Sequence, residues 1–293
     1  MDQVIYFNIT YRCNSKCTFC FSNSTNYINE EMDVKKIKEV FKKVSIDKDD
    51  LIVINGGEPF MHSQIRDILQ FLRENINCKK KIYTNASKLW EFDAKDLQGF
   101  SYVIPIHGNR MTHEKITCIS GMFECTMNSI NKLQEEKIEY ELKFILNDTM
   151  VNSDFDIKYF LESYNLQPNR IVLARLNETT KSKRNEVIIP TNFRISKYIN
   201  KQITGLSELY EIVLLDIPPC FLDARYHNIV LVERIPNFFF SDVNIDLEMR
   251  TYSKKIKVGS NCASCSYSDL CAMMSNTYLT MVLKNSRVYM EKE

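Results

Sequence analysis

The sequence is short of several things, and each shortage excludes something. No apolar run reaches the ~18–20 residues that a membrane-spanning helix needs, so a membrane partner is not expected. Charge of one sign is also missing: 38 Lys and Arg stand against 37 Asp and Glu, a net charge of +1. That balance leaves no electrostatic footprint for nucleic acid or an anionic membrane as the main partner. The opening residues, Met1-Asp2-Gln3-Val4, lack a basic stretch followed by an apolar one. No secretory signal is read there, and the expected compartment is a reducing cytoplasm. Glycine is scarce, with seven in 293 residues, and neither an internal repeat nor a low-complexity segment is present. The hydrophobic fraction of 44% and charged fraction of 26% are those of a globular chain, long enough for one or two domains.

Against these shortages stand ten cysteines. In a secreted chain they would suggest disulfides; in a reducing compartment metal ligation is the better reading. Their spacing agrees. Cys13, Cys17 and Cys20 fall together near the start, and Cys262, Cys265 and Cys271 near the end.

Between them the chain alternates. Strand-like segments at residues 4–10, 51–55, 81–84, 102–106, 139–146 and 170–175 are separated by helical patterns at 31–44, 63–74, 94–98, 122–134 and 154–163. Such alternation implies a parallel sheet with right-handed crossovers. Six units are too few for a closed eight-stranded barrel, so an open six-stranded partial barrel, a (β/α)6 arrangement of α/β class, is expected over residues 1–180. The pattern breaks at the polar, basic residues 177–186, read as a connecting loop. A helix near 191–203 and strands near 210–215 and 228–232 follow. Residues 181–293 are expected to form a linker and a small C-terminal domain, too small to fold on an apolar core without a metal.

The first cysteine group reads Tyr11-Arg12-Cys13-Asn14-Ser15-Lys16-Cys17-Thr18-Phe19-Cys20-Phe21, directly after the first strand. Most 4Fe–4S clusters take four cysteines, so a loop offering three leaves one iron open to a small bidentate ligand. Zinc bound through C-x2-C and distant ligands is the competing reading. After the second strand comes Asn55-Gly56-Gly57-Glu58-Pro59, an adjacent glycine pair in a glycine-poor chain. Glycine lets a backbone approach its neighbour closely, and Glu58 is an anionic acceptor suited to an ammonium group.

The C-x3-C-x2-C loop followed by Gly-Gly-Glu-Pro resembles the radical S-adenosylmethionine (SAM) superfamily. The resemblance implies that Cys13, Cys17 and Cys20 hold a catalytic 4Fe–4S cluster whose open iron is chelated by SAM. It implies that Phe19 packs near the adenine and that Gly56, Gly57 and Glu58 receive the methionyl amine. Asn85, His107, Asn147 and Arg175 end the third to sixth strands and are candidate cofactor contacts, with Arg175 suited to the carboxylate.

Cys262-Ala-Ser-Cys265-Ser-Tyr-Ser-Asp-Leu-Cys271, with Cys220 upstream in Pro-Pro-Cys-Phe-Leu, resembles the auxiliary-cluster domains called twitch or SPASM. Four cysteines fit a second 4Fe–4S cluster, and a structural zinc fits them also. Of the remaining three, Cys78, Cys118 and Cys125, the last two lie after the fourth strand and are candidate hydrogen donors to a substrate radical; buried packing is the plainer reading. Residues 104–107, 112–133, 178–180 and 219–222 are similar in order to radical enzymes of the His-Xaa-Ser peptide-maturation type. That likeness implies a maturase of a ribosomally made peptide. It would use a 5′-deoxyadenosyl radical to form an intrapeptide crosslink, with peptide epimerisation or modification of a small metabolite as alternatives. A zinc-binding module without catalysis is the alternative of another class. The implied partners are a precursor peptide, an electron donor such as flavodoxin or ferredoxin, and a separate leader-binding protein, since no leader-binding domain is read before the first strand. The apolar residues 236–240 fit core packing better than a peptide-binding surface.

Overall fold

A computed structural model describes residues 3–176, 180–227, 230–232 and 238–241. Cys262, Cys265 and Cys271, and with them the expected auxiliary cluster, lie outside the described residues.

The chain runs β1 (Val4–Asn8), α1 (Val34–Lys43), β2 (Leu51–Asn55), α2 (Ile65–Asn75), β3 (Lys79–Tyr83), α3 (Ala94–Leu97) and β4 (Ser101–Ile106). It continues with α4 (Arg110–Thr117), α5 (Met122–Glu135), β5 (Tyr140–Leu146), α6 (Asp148–Asn152), α7 (Ile157–Ser163) and β6 (Arg170–Arg175). Then come α8 (Thr180–Arg184), α9 (Asn192–Leu206), β7 (Glu211–Leu215), β8 (Val230–Val232) and β9 (Phe238–Ser241). All strands pair in parallel, in the order β8-β7-β6-β5-β4-β3-β2-β1-β9.

The helices form where apolar residues recur with helical spacing and a polar residue caps the start. In α2, Ile65, Ile68, Leu69 and Leu72 make one buried stripe. Asp33 accepts from the Lys35 N–H at 2.7 Å to start α1, and Asp156 accepts from the Tyr159 N–H at 2.9 Å to start α7. Strand residues alternate between two faces. Ile5, Phe7, Ile52, Ile54, Leu142 and Phe144 are buried in one continuous core beneath the helices. On the other, concave face Lys81 of β3 reaches past β4 to Glu141 of β5 at 2.8 Å, and Arg170 of β6 bonds Glu211 of β7 at 2.8 Å. The half-barrel therefore has an apolar outside and a charged, aromatic inside.

The expected α/β partial barrel is present, with differences at its far end. The helix expected near 191–203 is α9, and it carries the chain from β6 to β7, which pairs with β6 from Arg170↔Glu211 to Ala174↔Leu215. The sheet so continues past residue 180 with a seventh unit. Of residues 236–240, read as core packing or a peptide surface, 238–240 belong to β9, which pairs with β1, and 236–237 lie outside the described residues. Residues 177–186, read as loop, contain α8; residues 177–179 are outside the described part. No helix among the described residues is long and apolar enough to cross a membrane.

Leu214 of β7 is buried in the same core as Leu142 of β5. Leu214→Ala should cost about 2–5 kcal/mol, the range for a buried leucine. Chemical unfolding followed by fluorescence and by far-UV circular dichroism should show one shared transition moved to lower denaturant. A separate early transition confined to the C-terminal part would contradict a continuous sheet.

Candidate active site

The loop after β1 folds back on itself before it presents its cysteines. The Tyr11 N–H donates to the Glu30 carbonyl at 3.2 Å, Cys13 to Thr25 at 3.1 Å, and Met32 to Ile9 at 2.7 Å, forming a narrow neck. The end of β2 packs on that neck. Gly57 N–H donates to the Thr10 carbonyl at 2.7 Å and Glu58 N–H to the Arg12 carbonyl at 2.8 Å. A Cβ at Gly56 would lie 2.6 Å from the Thr10 oxygen, and one at Gly57 2.4 Å from the Arg12 oxygen. The glycine pair is thus required for backbone-to-backbone approach.

Glu58 is buried, and its carboxylate accepts from Thr84 Oγ1 at 2.7 Å, the Phe60 N–H at 3.0 Å and the Asn85 N–H at 2.7 Å. Burial lifts its pKa to about 7, while the three donors work in the opposite direction. The Asn85 side chain donates to Asn14 Oδ1 at 3.0 Å and Ser15 Oγ at 3.2 Å, and Asn14 reaches Ser87 Oγ at 2.8 Å. Asn85 therefore holds the cysteine loop from the end of β3.

The loop's tip rests on the C-terminus of α4. Lys16 N–H donates to the Thr117 carbonyl at 2.9 Å and Thr18 N–H to the Ile116 carbonyl at 3.0 Å. These are carbonyls that a helix end leaves unpaired. Cys13 is buried; Cys17 and Cys20 are half-buried. Burial, then the charge of Glu58, pushes the Cys13 thiol far above its ordinary value. Burial, then Cys20, pushes Cys17 up to about 12, with Lys181 acting in the lowering direction. Cys13 and Cys17 so placed need a cation to stabilise their thiolates. Among the described residues no three His, Cys, Asp or Glu side chains converge as ligands of one metal ion. Three corners of a cubane need a wider set, because each thiolate binds a different iron, and the donor set fits a 4Fe–4S cluster.

Phe19 sits between Cys17 and Cys20 with its ring edge-on to His107 at 5.3 Å, and packs with Ile116 and Leu176. His107, at the end of β4, is buried, and its Nδ1 has no hydrogen-bond partner among the described residues. Burial, then His113, then Lys143, holds its pKa well below the usual imidazole value. Arg175, at the end of β6, leaves its buried Nε without a partner among the described residues, as does Arg12 beside Cys13. Unpartnered buried donors are costly, and their presence around the loop suits a polar ligand bearing carboxylate and hydroxyl groups. Asn147 is used inside the fold: it donates to the His107 and Ile145 carbonyls and accepts from the Met150 N–H.

Cys118 caps α4 in the left-handed conformation, φ 55°, and is exposed; Cys125 is half-buried on α5. Cys220 is exposed on the turn after β7, at the same end of the sheet as the cysteine loop. Sequence reasoning did not single out His113, whose ring lies 5.1 Å from that of His107 with neither nitrogen bonded among the described residues. A lone histidine on a short helix carries no signal of its burial.

A three-cysteine loop at the C-terminal mouth of a parallel half-barrel defines an iron–sulfur enzyme of the kind that binds a small cofactor beside its cluster. Residues 7–156, half of the chain, match the Radical SAM superfamily model, and the chain belongs to that superfamily. Membership brings a 4Fe–4S cluster and SAM. Among curated relatives, Fe-coproporphyrin III synthase of Methanosarcina barkeri is 28% identical over 148 residues, 49% of this chain and 37% of the relative. The sporulation killing factor maturation protein SkfB of Bacillus subtilis is 24% identical over 153 residues, 51% of this chain and 37% of the relative. The chain thus spans little more than a third of the length of these relatives. Among solved structures, Streptococcus suis SuiB bound to precursor peptide SuiA aligns over 98% of this chain and 74% of its own, with TM-score 0.66 and 13% identity. anSMEcpe with bound AdoMet aligns over 99% and 93%, with TM-score 0.65 and 13% identity. At such identity the likeness is one of fold.

Two outcomes follow from the site. Gly57→Ala should lose about 1–3 kcal/mol to overpacking against the Arg12 carbonyl and should retain less iron after reconstitution; full iron content with unchanged melting temperature would contradict the close approach. The second concerns His113, which burial lowers from 6.5 to about 4. Between those values the unfolded chain binds a proton that the folded chain excludes. Stability is therefore full above pH 6.5 and falls as pH drops through this window, by about 2 kcal/mol at about pH 5. In His113→Phe the difference in urea unfolding free energy between neutral and mildly acidic pH should shrink by that amount, about 2 kcal/mol.

Proposed function

We propose that this protein is a radical SAM enzyme that modifies a ribosomally made peptide, forming an intrapeptide crosslink. Cys13, Cys17 and Cys20 hold its catalytic cluster. Phe19, Gly56, Gly57, Glu58, Asn85, His107, Asn147 and Arg175 form the surroundings of SAM. Once reduced by a flavodoxin or ferredoxin, the cluster and SAM supply a radical able to abstract hydrogen from the substrate. The residues of the chain position the substrate and exclude water.

The observation that carries the peptide reading is the rim of the mouth. Around the rim, Tyr27 in the loop after β1 is 83% exposed, Met111 at the start of α4 81%, Ile188 between α8 and α9 66% and Phe193 at the start of α9 78%. Large apolar side chains left in water at four positions on the functional end suit a substrate that lies across the rim. A small metabolite would be enclosed below it. The names of SkfB, a maturation protein, and of SuiB bound to its precursor peptide agree with this reading. A second reading, a small-metabolite enzyme, draws on relatives named Fe-coproporphyrin III synthase and pre-heme d1 synthase.

Under the crosslinking reading, Cys220 with Cys262, Cys265 and Cys271 holds an auxiliary 4Fe–4S cluster that accepts the electron left when the new bond forms. Under epimerisation, Cys118 or Cys125 returns a hydrogen instead; Cys118 is the more exposed of the two.

Coexpression with the short peptide encoded beside the gene, followed by mass spectrometry in light and heavy water, tests the proposal. The expected product is lighter by a pair of hydrogens, takes up no solvent deuterium at carbon, and is absent with the Cys13→Ala, Cys17→Ala, Cys20→Ala triple variant. Deuterium uptake that vanishes in Cys118→Ala would establish epimerisation. An unmodified peptide, with turnover of a tetrapyrrole precursor in its place, would favour the metabolite reading.

A further inference from the structure

The segment from α8 to Ile189 reaches the cysteine loop from far along the chain. Asn185 Nδ2 donates to the Thr18 carbonyl at 2.7 Å. Val187 and Ile189 pack against the apolar cluster formed by Phe19, Ile116 and Leu176. The segment is closed on itself by the Asn185 N–H to the Lys181 carbonyl at 3.0 Å and the Val187 N–H to the Ser182 carbonyl at 2.9 Å. Thr18 is thereby held on both sides: its N–H by Ile116 of α4 and its carbonyl by Asn185. It lies inside the Cys17–Cys20 turn, which is closed by the Cys20 N–H to the Cys17 carbonyl at 3.2 Å.

We infer that residues 180–189 form a clamp on the cysteine loop, in which Asn185 fixes the Cys17–Cys20 turn and so protects the cluster those cysteines hold. Asn185 does not touch the reacting atoms; it is a positioning residue. Solvent exposure is one of the main determinants of a cluster's properties. Holding the two successive peptide groups on either side of Thr18 limits the opening that would let water and chelators reach the iron. The packing of Val187 and Ile189 on the apolar cluster that contains Phe19 covers the same turn.

This inference rests on the assignment of the cluster to Cys13, Cys17 and Cys20. The test uses the full reconstituted chain. The catalytic cluster is identified as the electron paramagnetic resonance signal absent from the triple cysteine variant. In Asn185→Leu, which keeps the volume and removes the donor, loss of that signal and release of its iron to a chelator should accelerate at least severalfold, with unfolding midpoint unchanged. Iron release and signal decay unchanged in Asn185→Leu would overturn the clamp. Failure of the underlying assignment looks different: the triple variant would then keep the full signal and iron content of the wild type.

Discussion

Two peptide hydrogen bonds tie the end of β2 to the neck of the cysteine loop, Gly57 to Thr10 at 2.7 Å and Glu58 to Arg12 at 2.8 Å. The site depends on this contact. It exists only because positions 56 and 57 lack a Cβ, so that two backbones meet at a distance no other residue allows. Once made, it sets where Glu58 lies, and Glu58 in turn gathers Thr84 and the Asn85 peptide from β3. Asn85 then returns to the loop through Asn14 and Ser15. Three consecutive strand ends are thus joined in a closed circuit of hydrogen bonds around the cysteines. A cluster loop without it would be an excursion of more than twenty residues between β1 and α1, with only its own turns to shape it.

The electrostatics of the circuit are unfavourable until a cation arrives. Burial raises Cys13, Cys17 and Glu58 together, and the charge of Glu58 further disfavours the ionised form of Cys13. A protein designed for stability alone would not place three thiols and a carboxyl in one buried region. A metal cluster supplies the positive charge that makes the arrangement favourable, so binding it stabilises the loop and ionises its ligands in the same event. Lys181 from α8 acts on Cys17 in the lowering direction, opposite to burial.

What the sequence revealed follows from how local each signal is. Strands β2 and β6 stand where the apolar runs put them, residue for residue, because a buried parallel strand is a short apolar run with breakers at both ends. The cysteine spacing and the glycine pair were equally legible, since each lies within a few residues. Elements held by contacts between distant parts were not. Helix α4 has a weak apolar stripe and depends on its Asn109 cap and its packing; α8 is polar throughout and gains its place from Asn185 meeting a loop 167 positions earlier. The strand near 210–215 was recognised but not its place in the barrel, because pairing is decided by the sheet edge left open at β6 and not by the strand's own residues. His113 shows the limit in another way: what distinguishes it is burial without a partner, and no pattern in the chain encodes that.

The division between the matched half and the rest bears on specificity. The superfamily match covers residues 7–156 and so includes the end of β1, β2 to β5, the cysteine loop, Gly56, Gly57, Glu58 and His107. Curated relatives with names as different as a coproporphyrin synthase and a peptide maturation protein align over about half of this chain, with 28% and 24% identity. A region common to such different names can hold the cofactor machinery but cannot by itself select a substrate. On the proposed peptide reading, selection draws on the rim, Tyr27 and Met111 included, and on what lies beyond residue 156. In the described part, that includes Arg175 with its unpartnered Nε, the exposed Ile188 and Phe193, and Cys220 on its turn after β7. The same segment carries the residues that grip the cluster loop. On the proposed reading, substrate-facing groups and groups that hold the cysteine loop share one stretch of about fifteen residues between β6 and α9. A substrate lying against Ile188 would then press on the segment that holds Thr18, a short mechanical path from the rim to the cysteine loop.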